Sequence, residues 1–266
     1  MTPRYKFIMV TSALIFASAS SITGCSHESS QEKQVSSSAP NGTSTTPSSA
    51  QADSSHMALV RVINADPAAS TIGVYADNTK VFDDVNYKNV TPYRAISDTR
   101  HDFEVRTPED DNGKPVAQES KTLNGGDHYT LMTVEQESRK NPTTLVTFSD
   151  NLTPPPTGKA KLRIINASPD LDKVDIYEMG KKDSLFGGVS FKNHSDYKEI
   201  DPRTVTLQIR RNGKEATVLT VPDFTLDADR IYTLVIAGRE RGKPSLTTIQ
   251  VQDQFTTTPQ QAGIAQ

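Results

Sequence analysis

The chain has 266 residues, enough for one large domain or two small ones, with a formal net charge of −3 and no tryptophan. Its hydrophobic content of 34% lies below that of an ordinary globular domain, so part of the chain is not packed. The near-neutral charge excludes the strongly basic footprint of a nucleic-acid binder, and nothing in it favours an anionic membrane surface.

At the N-terminus, Arg4 and Lys6 precede an apolar run from Phe7 to Ala19 that is too short to span a bilayer comfortably. Small residues and then Cys25 follow, the layout of a secretory signal peptide over residues 1–24. Ile22-Thr23-Gly24-Cys25 resembles the bacterial lipobox, in which small residues precede a cysteine that becomes acylated. The resemblance implies that Cys25 is the lipidation site and that a lipid bilayer is a partner, each buried acyl CH₂ contributing about 0.8 kcal/mol. Ser26 after the cysteine resembles the outer-membrane sorting signal rather than the retaining Asp. The expected location is therefore exported and lipid-anchored, at the outer membrane if the host has two, facing either the periplasm or the surface. The alternative is a plain signal peptide whose cleavage zone contains a cysteine. Cys25 is the only cysteine, so it forms no intramolecular disulfide. Residues 26–56 are rich in Ser, Thr, Pro and Gln and contain no aromatic side chain. Such a stretch buries too little apolar surface to offset its chain entropy, and reads as a disordered tether averaging about 30 Å end to end.

Beyond the tether the chain repeats itself. RVINADP at Arg61–Pro67 returns as RIINASP at Arg163–Pro169, an offset of 102. Val74-Tyr75 matches Ile176-Tyr177, Tyr93 matches Tyr197, Asn112-Gly113-Lys114 matches Asn212-Gly213-Lys214, and Tyr129-Thr130-Leu131 matches Tyr232-Thr233-Leu234. Matched order over a domain-sized period means two tandem copies, over residues 57–150 and 159–255, followed by a polar tail at 256–266. Residues 151–158 join them, and Pro154-Pro155-Pro156 predicts a stiff, extended spacer.

Each copy reads as all-β. Ala58–Asn64 alternates, with Val60 and Val62 on the core face and Leu59, Arg61 and Ile63 on the other. Further strands are predicted at Thr71–Ala76, Arg94–Ser97, His101–Thr107, Ala117–Leu123, His128–Glu135 and Thr143–Ser149. In the second copy they fall at Lys173–Glu178, Thr204–Arg210, Ala216–Val221, Arg230–Ala237 and Ser245–Gln252. The two Asn-Gly pairs predict type I′ hairpins. Several short strands in some ninety residues indicate an immunoglobulin-like antiparallel β-sandwich, although tryptophan and a disulfide pair are missing.

Copies that open Arg-apolar-apolar-Asn-Ala-Ser-Pro and continue with an apolar-Asp-apolar-Tyr strand resemble domain-of-unknown-function family 4397, which is repeated in bacterial secreted and surface lipoproteins. Arg163–Pro169 and Val174-Asp175-Ile176-Tyr177 fit closely; in the first copy Asp66 replaces Ser168 and Gly73 replaces Asp175. If Asp175 pairs with Arg163, the first copy lacks that partner. The resemblance implies no catalytic residues.

The candidate binding residues are the repeated Arg61, Asn64, Tyr93, Arg163, Asn166 and Tyr197. Asn64 and Asn166 also suit a following turn, and the arginines suit a polar strand face paired with a carboxylate. Tyr93 and Tyr197 follow the loop motif and are the better aromatic candidates for a glycan; Tyr75, Tyr177, Tyr129 and Tyr232 sit in strands, as half-buried core edges. The five histidines have no metal-ligand spacing, which argues against zinc. Asp170-Leu171-Asp172 and Glu109–Gly113 could feed calcium but match no EF-hand loop. The sequon Asn166-Ala167-Ser168 reads as chance. No nucleophile elbow, H-E-x-x-H helix or phosphate loop occurs, and no cofactor is implied. The expectation is a non-enzymatic interaction, adhesion or scaffolding module with an unknown envelope protein or glycan as partner and no nucleic acid; the alternative is a carbohydrate- or cell-wall-binding module.

Overall fold

A computed structural model of the chain describes residues 56–108, 113–137 and 142–253. Cys25, the signal sequence, the tether up to residue 55, the tail and Asn112 lie outside the described residues.

The first repeat contains β1 (Met57–Asn64), β2 (Thr71–Ala76), β3 (Thr79–Asn86), β4 (Arg94–Ser97), β5 (Arg100–Arg106), β6 (Ala117–Thr122), β7 (His128–Glu135) and β8 (Thr143–Ser149). The second contains β9 (Ala160–Asn166), β10 (Lys173–Glu178), β11 (Ser184–Ser190), β12 (Asn193–His194), β13 (Lys198–Ile200), β14 (Arg203–Arg211), β15 (Thr217–Leu226), β16 (Ile231–Ala237) and β17 (Thr247–Asp253). Each repeat is a sandwich. Sheet β4-β1-β7-β8 lies over β3-β2-β5-β6, and β12-β9-β16-β17 lies over β11-β10-β14-β15, with β13 also on β9. Among the described residues the named strands pair antiparallel apart from one parallel strand pair per repeat, β1 with β7 and β9 with β16.

The core faces follow from alternation. Val60 and Val62 meet Val74, Phe103, Val105 and Leu131 in the first repeat, and Leu162 and Ile164 meet Ile176, Leu207, Ile209 and Leu234 in the second. A backbone clip fixes each entry into the parallel strand: the Tyr129 hydroxyl accepts from Asn124 N and the Tyr232 hydroxyl from Asp227 N, both at 3.1 Å. Immunoglobulin-like sandwiches carry the same device as a tyrosine corner.

Strands β3 and β11 are absent from the sequence expectation because a bulge breaks their two-residue period. Ile72 and Val74 pair with Val85 and Phe82, so Asp83 and Asp84 together oppose Gly73. Likewise Gly187 and Gly188 together oppose Asp175. Asp84 and Gly188 both take positive φ, at 50° and 68°, as such a bulge requires. The carboxylate and the glycine have exchanged strands between repeats. Asp175 Oδ1 accepts from Gly188 N at 2.7 Å, whereas Asp83 Oδ1 accepts from Asp84 N at 3.2 Å. This corrects the suggested Asp175–Arg163 pair: Asp175 is spent on the bulge and on the turn at Asn212 and Gly213.

That turn is also not type I′, because only Gly213 has positive φ and the hydrogen bond runs from Lys214 N to Arg211 O. Mirror-image φ values at both central residues occur instead at Asp77-Asn78, the two-residue link between β2 and β3.

The largest departure is between the repeats. The predicted stiff spacer does not hold them apart. The outer faces of sheets β4-β1-β7-β8 and β12-β9-β16-β17 pack together through Ile63, Ala65, Met132, Val134 and Phe148 on one side and Ile165, Ala167, Val235, Ala237, Ile249 and Val251 on the other. Each large side chain buried here contributes about 1.5–3 kcal/mol. The connection is tied down as well: Lys161 Nζ donates to Thr153 O at 2.7 Å, and Gly158 N to Asp229 Oδ1 at 2.8 Å. Four sheets therefore stack in order, with the two repeats joined by their inner sheets.

Candidate functional site

The motif arginines lie at the centre of β1 and β9, on the faces that meet between the repeats. They are not on a solvated polar face: Arg61 is 3% exposed and Arg163 0%. Arg61 Nη1 reaches Asp253 Oδ1 in the other repeat at 2.6 Å, and Arg163 Nη2 reaches Asp150 Oδ1 in the other repeat at 2.5 Å. Each Nε donates to a threonine on the parallel neighbour strand, Arg61 to Thr130 at 2.9 Å and Arg163 to Thr233 at 3.0 Å. Each threonine hydroxyl in turn donates a hydrogen bond to an aspartate of its own repeat, Thr130 to Asp150 and Thr233 to Asp253, both at 2.6 Å. The parallel registers Arg61↔Thr130 and Arg163↔Thr233 make this relay possible.

Tyr93 and Tyr197 close the cluster. Arg61 sits over the Tyr93 ring at 4.8 Å and Arg163 over the Tyr197 ring at 4.9 Å. The Tyr93 hydroxyl donates to Asp150 Oδ2 at 2.6 Å, and that of Tyr197 points to Asp253 Oδ2 at 3.5 Å. Both phenols are held far above their ordinary range, chiefly by burial and then against the pull of the arginine. Burial alone would raise the Asp150 carboxyl, but Arg163, Arg61 and the hydrogen bonds from Thr130 and Tyr93 outweigh it and hold it below its ordinary value. Burial would likewise strip protons from the arginines, but the carboxylates more than offset it, so both stay charged. Two cations and two anions thus neutralise one another in a dry joint. Every side chain in it faces another member, and Tyr93 and Tyr197 stand half-buried at its edge.

Asn64 and Asn166 lie elsewhere, closing the loops that follow β1 and β9. Asn64 Nδ2 donates to Ala69 O at 2.8 Å and Val85 O at 3.0 Å, while Oδ1 accepts from Asp66 N and the Thr133 hydroxyl. Asn166 repeats this with Leu171 O at 2.8 Å, Val189 O at 3.3 Å and Ser168 N at 3.1 Å. The amides are fully used as loop clamps. The structure thus brings four of the six candidates together and sets the asparagines apart.

Asp150 and Asp253 were missed by sequence reading. Their matched positions, at the ends of β8 and β17 with an offset of 103, were the available signal. For calcium, Asp170 is occupied by Ser168 Oγ, Glu240 N and Arg241 N, and residues 109–112 lie outside the described residues. Among the described residues no three His, Cys, Asp or Glu side chains gather as metal ligands.

One arrangement invites a catalytic reading. His101 Nδ1 lies 2.6 Å from Asp77 Oδ2, and Nε2 lies 3.2 Å from Ser97 Oγ. Nε2 also lies 2.9 Å from the Ser97 carbonyl oxygen, which only accepts. The ring thereby bridges the turn at Asp77 and the turn between β4 and β5 and clasps the two together.

A protein-family comparison matches the domain of unknown function DUF4397 to residues 58–177 and again to 162–265. No curated protein matches. Among solved structures, the C-terminal domain of AlgF from P. aeruginosa is 22% identical, covering 36% of this chain and 99% of that one, with a TM-score of 0.29. A candidate cell adhesion protein from Bacteroides uniformis is 14% identical over 77% of this chain and 100% of that one, TM-score 0.25. A streptococcal virulence factor whose structure concerns alpha-glucan binding is 12% identical over 71% and 95%, TM-score 0.22. Scores this low carry no functional argument.

Proposed function

This chain belongs to the DUF4397 family, in two tandem copies, and on that premise we propose that it is a membrane-anchored bacterial envelope lipoprotein acting as a non-enzymatic interaction, adhesion or scaffolding module. The observation that carries the reading is the neutral joint of Arg61, Asp150, Arg163 and Asp253. It commits the arginines of the repeated motif to holding the two sandwiches together. What remains for partners is the pair of outer sheets, β3-β2-β5-β6 and β11-β10-β14-β15, carried on rigid strands. Rigid display of side chains is what a binding module needs, and acylation of Cys25 would set that display at a bilayer.

Two experiments test it. Cys25→Ser is expected to move the protein from the membrane fraction to the soluble fraction; unchanged retention of a correctly processed variant would overturn acylation as the anchor. A photo-crosslinking residue at Thr206 or Gln118, on the outer sheets, is expected to trap envelope partners in living cells. Absence of partners from both outer sheets would overturn the interaction reading.

A further inference from the structure

The outer sheets carry the same stacked pair in both repeats, with one difference in charge. In the first repeat Arg106 lies over the Tyr75 ring at 4.2 Å, and in the second Arg210 lies over the Tyr177 ring at 4.2 Å. Arg106 is neutralised by Glu104, whose Oε2 accepts from Nη2 at 2.6 Å and from Nε at 3.2 Å. The position of Glu104, opposite the tyrosine, is held in the second repeat by Gln208. Arg210 Nη2 donates to Gln208 Oε1 at 2.8 Å, Nε is buried without a hydrogen-bond partner, and no carboxylate among the described residues pairs with the guanidinium. Asp175 lies across the strand from Arg210, but its oxygens are taken by Gly188 N, Asn212 Nδ2 and Gly213 N.

The second repeat therefore holds a planar cation, immobilised on an aromatic ring, in the setting where the first repeat holds a carboxylate in place. A fixed guanidinium has already lost the rotamer freedom that binding would otherwise cost, and it recognises a carboxylate by charge-assisted hydrogen bonds. The side chains beside it are hydroxyls and an amide. Thr220 is the cross-strand partner of Gln208 and Thr217 that of Arg210, and both threonines are exposed. We propose that Arg210, with Gln208, Thr217 and Thr220, binds the carboxylate and neighbouring hydroxyls of an acidic polysaccharide, a uronic-acid polymer in chemical class. The inference rests on the reading of the chain as a binding module and names the ligand class for its outer sheet.

The test is calorimetric titration of the two-repeat protein with oligogalacturonate, with a neutral glucose oligomer of equal length as control. Saturable, salt-sensitive binding of the acidic oligomer alone is expected. Gln208→Glu installs the ion pair that the first repeat already tolerates, so the fold is retained, and binding is expected to weaken by roughly tenfold or more, the worth of one charge-assisted bond. Arg210→Gln is expected to do the same. Binding indifferent to both changes in the second repeat would overturn the assignment, and equal binding of oligoglutamate would overturn its sugar specificity. No binding here, with partners still captured from the outer sheets in cells, would overturn this site while leaving the interaction reading in place.

Discussion

Single buried ionisable residues carry the sharpest consequences. Asp150 is wholly buried between two arginines, and its carboxyl titrates below the ordinary range. A depressed acid contributes stability that is present above the unfolded value and lost as pH falls through the folded one. Asp150→Asn leaves two buried guanidinium groups facing one carboxylate, and is expected to cost about 3–5 kcal/mol in urea denaturation at neutral pH. The gap to the parent is expected to narrow under acid. Asp66 has the opposite sign. It is fully buried, and burial, with Glu135 nearby, raises its carboxyl despite the hydrogen bonds it receives. A raised acid is a net liability once pH climbs past its unfolded value, because the folded protein must bury the charge. Asp66→Asn keeps an acceptor for Ala68 N, and Ser168 shows that the second repeat does without the charge. The expected outcome is a higher melting temperature near neutral pH and little change near pH 4, close to the ordinary carboxyl value.

At the scale of elements, the loop clamp and the bulge decide how each sandwich closes. Asn166→Ala strips three bonds from a buried loop and is expected to cost about 3 kcal/mol, read from the shift in denaturation midpoint. The first strand of each copy was legible in the sequence, since Val60 and Val62, like Leu162 and Ile164, hold one face on either side of the motif arginine. Strands β3 and β11 were not, because Asp83-Asp84 and Gly187-Gly188 interrupt the alternation and read as turn residues. The edges of those strands are guarded alike in both repeats: Arg94 Nη1 donates to Val81 O at 2.6 Å and Lys198 Nζ to Leu185 O at 3.1 Å. A cation reaching across from the inner sheet satisfies a carbonyl that would otherwise invite a foreign strand.

For the molecule as a whole, the joint between repeats was the part least visible in the sequence. An arginine in mid-strand reads as solvent-facing, and only a carboxylate from the far end of the other copy turns that face inward. The candidate residues were found because they repeat; their role was not, because it depends on contacts between copies rather than within one. The apolar contact and the buried charges couple the two sandwiches, so calorimetry of the two-repeat protein is expected to show one cooperative transition. Ile165→Lys, which places an unpaired charge in that contact, is expected to split it into two.

The joint is self-complementary: Arg61 meets Asp253 as Arg163 meets Asp150. Such reciprocity is the signature of a two-fold dimer, here written into one polypeptide. A dimer of separate chains falls apart on dilution and must keep its halves identical. Fusion removes both constraints, since the covalent link fixes the local concentration of one half around the other. The halves can then drift apart wherever the joint does not hold them. Glu104 against Gln208 and Asp66 against Ser168 mark where they have done so.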